Sequence, residues 1–289
     1  MKERFISKQF RAAALERIQL CNEIIEQYLG MGLRLTLRQL YYQLVTKNVI
    51  ANKEQEYKGL GKLLSDARLA GLVDWNAIED RVRRPDVPQE FRDLRHLVDV
   101  ALNAYKLPRW RGQDNYCELW VEKDALSGVL APLGDEFHVT IMVNRGYSSQ
   151  SAMYESAQRF LRAGDDHACF LFYLGDHDPS GEDMVRDVRD RLERFGCTLT
   201  VKKIALTMAQ VEQYNPPPNP AKMSDSRAQA YVDQHGDEAW EVDALPPDVL
   251  QNLIRSAVTN ILDDALMDTV KHEEELDKEH LRHAVEEIE

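Results

Sequence analysis

The sequence predicts an α/β plus α protein: an N-terminal helical, winged-helix-like domain in residues 1–110, then a doubly wound parallel sheet in residues 111–289 that ends in an acidic helical tail. Three observations predict it. Amphipathic helical patterns fill residues 8–69, four short apolar runs alternate with helical patterns between 116 and 206, and the breaker-rich stretch KLPRWRGQDN separates the two textures.

In order along the chain, Phe10, Ala14, Ile18, Cys21, Ile25 and Tyr28 recur at three- and four-residue spacing, which predicts a helix over 8–29 ended by Gly30. A second helix begins after Thr36, a helix-capping residue type. Leu37, Leu40, Tyr41, Leu44 and Val45 form its apolar stripe, whereas Arg38, Tyr42 and Thr46 share its polar face. Tyr41 is thus expected in the core, and Tyr42 exposed with a guanidinium one turn below it. The third helix, 54–69, turns Tyr57, Leu60, Leu64 and Ala67 inward and Lys58, Lys62 and Arg68 outward. Short helices with brief connections, the last one basic, fit a helix-turn-helix or winged-helix module. A further helix is expected near Phe91 to Tyr105.

Beyond the boundary, YCELWVE (116–122), HVTIMVN (138–144), ACFLFYLG (168–175) and TLTVKKIAL (198–206) read as strands. Helical patterns at 125–133, 149–163 and 181–195 lie between them, the arrangement of a parallel sheet covered on both faces. PPPNP at 216–220 reads as a loop, and the chain from Pro247 onward as mainly helical.

Apolar residues make up 44% and charged residues 29%, a globular balance that excludes disorder. No run approaches the ~18 apolar residues of a membrane span, and MKERFISKQF lacks the hydrophobic block of a signal peptide. A cytoplasmic protein with no membrane partner is expected. Four dispersed cysteines exclude a zinc knuckle and a disulfide framework, so they are expected to be reduced and mostly buried. The net charge of −13 is unevenly spread: residues 1–113 hold 20 Lys and Arg against 14 Asp and Glu, net +6, and residues 114–289 hold 16 against 35, net −19. A basic half joined to an acidic half suggests a DNA-facing module attached to something that holds cations or a partner. Lys58, Lys62 and Arg68, together with Arg81, Arg83 and Arg84, are the candidate phosphate contacts.

In an open parallel sheet functional groups collect beyond the carboxyl ends of strands. One strand runs into Glu122 and another into Gly175-Asp176-His177-Asp178. Three carboxylates in one crevice repel unless a cation neutralises them, and oxygen ligands favour Mg²⁺ or Mn²⁺. Glu122, Asp176 and Asp178 are therefore candidate metal ligands, with His177 a neighbour rather than a ligand. The simpler alternative is that these acids cap the helices that follow. Glu241 and Asp243, in WEVDALPP, alternate as on the outward face of an edge strand and stay outside the candidate site.

These motifs carry a resemblance. V-E-K-D-A (121–125) and L-G-D-H-D-P-S-G (174–181) resemble the Toprim domain of type II topoisomerases, bacterial primases and some nucleases. With N-R-G-Y (144–147) and R-x-x-Y-Y (Arg38 to Tyr42), the motifs resemble more specifically one branch of these proteins, the A subunit of topoisomerase VI and the meiotic double-strand-break transesterase. The resemblance covers roughly residues 30–195. It implies that Tyr42 is a nucleophile that attacks double-stranded DNA and stays attached to a 5′ end, assisted by Arg38 and Glu122. It also implies a homodimer in which one chain's tyrosine meets the other chain's metal. No G-x-x-x-x-G-K-[ST] loop occurs here, so the chain is expected to be either an A-type subunit with a separate ATPase subunit or a stand-alone DNA-cleaving relative of the kind phages and mobile elements carry. Two alternatives stay open: hydrolysis by metal-bound water with Tyr42 structural, as in the nuclease subunit of Wadjet-type defence systems, and a non-catalytic DNA-binding dimer.

Overall fold

The computed structural model describes residues 2–78, 88–144 and 148–286. Arg81, Arg83 and Arg84, and all but Asn144 of the N-R-G-Y turn, lie outside the described residues.

Three helices open the chain: α1 (Ala12–Gly30), α2 (Leu37–Thr46) and α3 (Glu54–Leu69). The start of α2 is fixed by a capping box, in which the Thr36 hydroxyl accepts from Gln39 N and the Gln39 side chain accepts from Thr36 N. Ile18, Cys21 and Ile25 of α1, Leu40 and Leu44 of α2, and Leu60 and Leu64 of α3 close on one another as a first core. Isolated bridges join Arg4 to Ala70 and Leu35 to Ile78 at its edge. Helix α4 (Leu94–Ala104) follows, begun by Asp93, whose carboxylate accepts from His96 N.

The next segment forms a wholly parallel sheet from β1 (Asn115–Val121), β2 (Thr140–Val143), β3 (Ala168–Leu174) and β4 (Thr200–Ala205), in the spatial order β2-β1-β3-β4. Period-two alternation sends Cys117, Leu119 and Val121 to one face and Trp120 to the other. The first face is covered by α5 (Ser127–Phe137), which a 3₁₀ turn at Asp124–Leu126 precedes. The second is covered by α6 (Gln150–Gly164) and α7 (Pro179–Arg194). Beyond β4 come α8 (Met208–Tyr214), the two-residue β5 (Asn219–Pro220), α9 (Ala228–His235) and β6 (Glu238–Ala239), which pairs with β5. A 3₁₀ turn at Val242–Ala244 leads into α10 (Pro247–Thr259), which packs beside α5 on the first face, and then α11 (Asp264–Glu286).

The expected order of helices and strands is present, but α8, α9 and the 3₁₀ turn at 242–244 were not foreseen, and the stretch 216–220, read as a loop, ends in β5, because Asn219 and Pro220 pair with β6. The acidic tail packs on its own chain: Glu274 of α11, 1% exposed, receives Lys106, Arg109, Lys278 and the backbone N–H of Leu107. All four cysteines are free and buried. Among the described residues no helix is long and apolar enough to cross a membrane.

Candidate active site

Strand order reverses between β1 and β3, so their carboxyl ends flank the crevice where such sheets bind ligands. Glu122 and Asp176 meet there. Glu122 N donates to Leu174 O at 2.9 Å, and the Glu122 carboxylate accepts from Asp176 N at 3.1 Å. Gly175 is required between the strands: a Cβ there would lie 2.5 Å from the Tyr173 ring and 3.0 Å from Glu122 Oε2. Gly181 is equally constrained, since a Cβ would come 2.2 Å from Asp176 O.

Asp176 is 7% exposed. Its Oδ1 accepts from Val242 N at 2.9 Å, and its Oδ2 lies 2.9 Å from Lys123 Nζ. The same ammonium sits 3.1 Å from Glu241 Oε2 and 3.1 Å from Asp243 Oδ1. Arg38 reaches across from α2 to pair with Glu241 and, through Nε, with Asp243 Oδ2 at 3.2 Å. Tyr42 Oη donates to Glu241 Oε2 at 2.8 Å. Tyr42, Glu241, Lys123, Asp176 and Glu122 thus form one connected polar chain that joins the helical segment to the strand ends.

Three expectations change. Tyr42 is not on an exposed face: it is 3% exposed, and Tyr41 is 4% exposed. The periodicity of α2 identified one packing surface correctly, but the polar face has a second partner, the 3₁₀ turn at 242–244, whose Ala244 joins the first core. Glu241 and Asp243, expected on an outward strand face, are instead central. Trp240 bridges to His177 as in a strand, then the backbone turns, so both acids face Lys123 and Arg38. Arg68, expected outward, folds back with its guanidinium donating to Ile78 O at 2.8 Å and lying over the Trp75 ring. Lys58 and Lys62 are exposed as expected.

Asp178 behaves as the capping alternative foresaw. It is the N-cap of α7, and its Oδ1 accepts from Gly181 N at 2.6 Å and from Ser180 Oγ at 2.8 Å. His177 hydrogen-bonds Tyr231 Oη at 2.7 Å, away from the carboxylates. The donors suit a hard divalent cation in type, being oxygens only. In arrangement they do not form a ready cage: among the described residues no group of three or more acids, histidines or cysteines is gathered in metal-holding geometry. The positive charge at hand is that of Lys123.

Three carboxylates share two cations, and solvent decides how each responds. Burial pushes the Asp176 and Asp243 carboxyls up to about 6, against the pull of Lys123. Burial also disfavours ionised Glu241, but its side chain is 22% exposed against 0% for Asp243, and Lys123 and Arg38 bring it down to about 2. Burial, then Glu241 and Asp243, raise the Tyr42 phenol above its ordinary value, so its proton stays in place in this arrangement. A cavity of about 340 Å³ opens beside these groups, with Arg38, Tyr41, Tyr42, Asn52, Tyr57 and Glu241 in its wall.

Glu241 and Asp243 were visible in the sequence as E-x-D and set aside as an edge-strand face; the signal against that reading is the A-L-P-P that follows, prolines that end a turn and start a helix. No family model matches the chain, and no curated protein is similar to it.

Proposed function

We propose that this chain cleaves double-stranded DNA by transesterification, with Tyr42 as nucleophile and Arg38 as the group that holds the scissile phosphate. The observation that carries the reading is the 2.8 Å contact between Tyr42 and Glu241, residues 199 positions apart, in a network that ends on the Asp176 carboxylate at the sheet's switch point. The basic N-terminal half and the exposed Lys58 and Lys62 support DNA as substrate. The resemblance to the A subunit of topoisomerase VI supports the same reading, and with it the finer architecture of a winged helix joined to a Toprim domain and a working homodimer, served by a separate ATPase subunit or acting as a stand-alone relative.

Within the chain, Arg38 offers a planar fork to a phosphate, in exchange for its pairing with Glu241 and Asp243. With Asp178 committed to the start of α7, Glu122 and Asp176 are the acids that would hold Mg²⁺ or Mn²⁺ once Lys123 releases Asp176, and the ion would supply charge stabilisation at the phosphate. Tyr42 keeps its proton until the phosphate is in place, which restrains the phenol between encounters with DNA.

One observation favours the hydrolytic alternative: Tyr42 is as buried as the core residue Tyr41. Incubation of supercoiled DNA with the protein and Mg²⁺ or Mn²⁺, followed by a denaturing gel with and without protease, separates the two. Transesterification leaves protein attached to DNA until protease removes it, and Tyr42→Phe abolishes the cut. Cleavage that persists in Tyr42→Phe, with no attached protein, would replace this reading with hydrolysis.

A further inference from the structure

We infer that Glu241 is a further catalytic residue, the acceptor of the Tyr42 proton, and that it acts on the tyrosine of its own chain. The inference rests on the transesterase reading and differs from the arrangement that the family resemblance implies, in which the tyrosine works with its partner's acids.

Glu241 Oε2 accepts the hydrogen bond of Tyr42 Oη, at 2.8 Å. Within the same cluster Asp243 is turned to Lys123 and Arg38, and Asp176 to Lys123 and Val242 N. Glu241 is also the one acid of the three that lines the cavity of about 340 Å³ together with Arg38 and Tyr42, so a phosphodiester entering it meets nucleophile, proton acceptor and guanidinium at once. In the resting arrangement Arg38 and Lys123 both hold Glu241. An incoming phosphate competes for Arg38, which leaves Glu241 with less positive charge and a stronger hold on the phenol proton.

The step balances without another reactant. The Oη–H bond breaks and its proton passes to Glu241 Oε2, while an Oη–P bond forms and the P–O3′ bond breaks. The departing 3′ oxygen takes a proton from solvent and becomes a 3′ hydroxyl. Resealing reverses each change, and Glu241 returns its proton to Oη.

The full-length chain tests this with supercoiled DNA and Mg²⁺, read as protease-sensitive attachment of protein to DNA. Glu241→Gln keeps the size and an acceptor oxygen but cannot take up the proton, and should slow attachment by about 100-fold or more while DNA binding, read by gel shift without Mg²⁺, is retained. Glu241→Asp keeps a carboxylate at shorter reach and should recover part of the loss, which a residue that only ties α2 to the 242–244 turn would not do. Attachment by Glu241→Gln at the wild-type rate overturns the assignment. Mixing Tyr42→Phe with Glu241→Gln decides whose tyrosine is served: two groups required in one chain give no attachment above the separate variants, and restored attachment overturns the same-chain arrangement. A wild-type chain that never becomes attached removes the parent reading itself, before any variant is made.

Discussion

Two acids four residues apart, one within strand β1 and one just past its end, have opposite surroundings. Glu118, in mid-strand, is fully buried and receives four donors: Arg159 Nε at 2.7 Å, an Arg159 terminal nitrogen at 2.9 Å, Tyr116 Oη at 2.8 Å and Trp120 Nε1 at 2.9 Å. Every strong acceptor direction of that carboxylate is used, and no second acid competes. Glu122, one residue past the strand, meets Asp176, which Lys123 ties to Glu241 and Asp243, and there Lys123 and Arg38 serve more acids than they can neutralise. A surplus of donors around one acid makes a rigid strut. A surplus of acids around two cations makes a site that gains when another positive charge, or a proton transfer, relieves it.

The comparison breaks if the two centres respond alike to substitution. The largest expected effect is on chemistry: Tyr42→Phe abolishes protein–DNA attachment in the protease gel assay, yet lowers stability by only about 1 kcal/mol in a denaturant titration, because one hydrogen bond is lost. Next is Glu118→Gln, which leaves the partly solvated Arg159 guanidinium without its carboxylate; unfolding should register a loss of about 2 to 3 kcal/mol with DNA binding per folded molecule unchanged. Asp243→Asn should behave in the opposite way. It reduces three acids to two against two cations, so stability stays within about 1 kcal/mol of wild type, while attachment falls because Arg38 and Lys123 lose their bearing. A loss at Asp243 as large as that at Glu118 would show that both centres are struts.

Glu274 extends the comparison to pH. It is held below the ordinary glutamate range, to about 2: burial opposes this, but Lys278, Leu107 N, Lys106 and Arg109 outweigh it. A carboxyl whose pKa is lower in the folded chain than in the unfolded one stabilises fully above the unfolded value, roughly 4.3, and that contribution fades as pH falls through the folded one. Melting curves of Glu274→Gln and wild type should therefore differ by about 2 kcal/mol at pH 7 and converge toward pH 2. A constant gap would mean that the charge of Glu274 is not what anchors α11.

What could be read from the sequence follows the same division. The Thr36 cap, the stripe of α2 and the four apolar strands are local signals, and they predicted elements within a few residues of where these lie. Glu122 and Asp176 were legible because strand ends in a parallel sheet converge by topology. The burial of Tyr42 was not, since periodicity describes one helix face and says nothing of a turn arriving from residue 242. Nor was Glu118 separable from Glu122: its strut depends on Arg159, 41 residues away. Helices α8 and α9, at seven and eight residues, are too short for a periodic pattern to accumulate.

The smallest expected effects lie on α3, and they test whether the basic half of the chain faces DNA at all. Lys58 pairs at 2.7 Å with Glu54, one turn earlier, and both side chains are more than 70% exposed, so the pair adds little to stability. Lys62, one turn later, is also exposed, whereas Arg68 spends its guanidinium on Ile78 O and Trp75. If α3 lies along the phosphate backbone, Lys58→Ala and Lys62→Ala each remove about one released counterion, and the slope of log affinity against log salt falls by about 1 per substitution with melting unchanged. Arg68→Ala should do the reverse, with lower stability and an unaltered slope. An equal salt slope in all three variants would place the DNA surface elsewhere, and would leave the net charge of +6 in residues 1–113 as a matter of solubility alone.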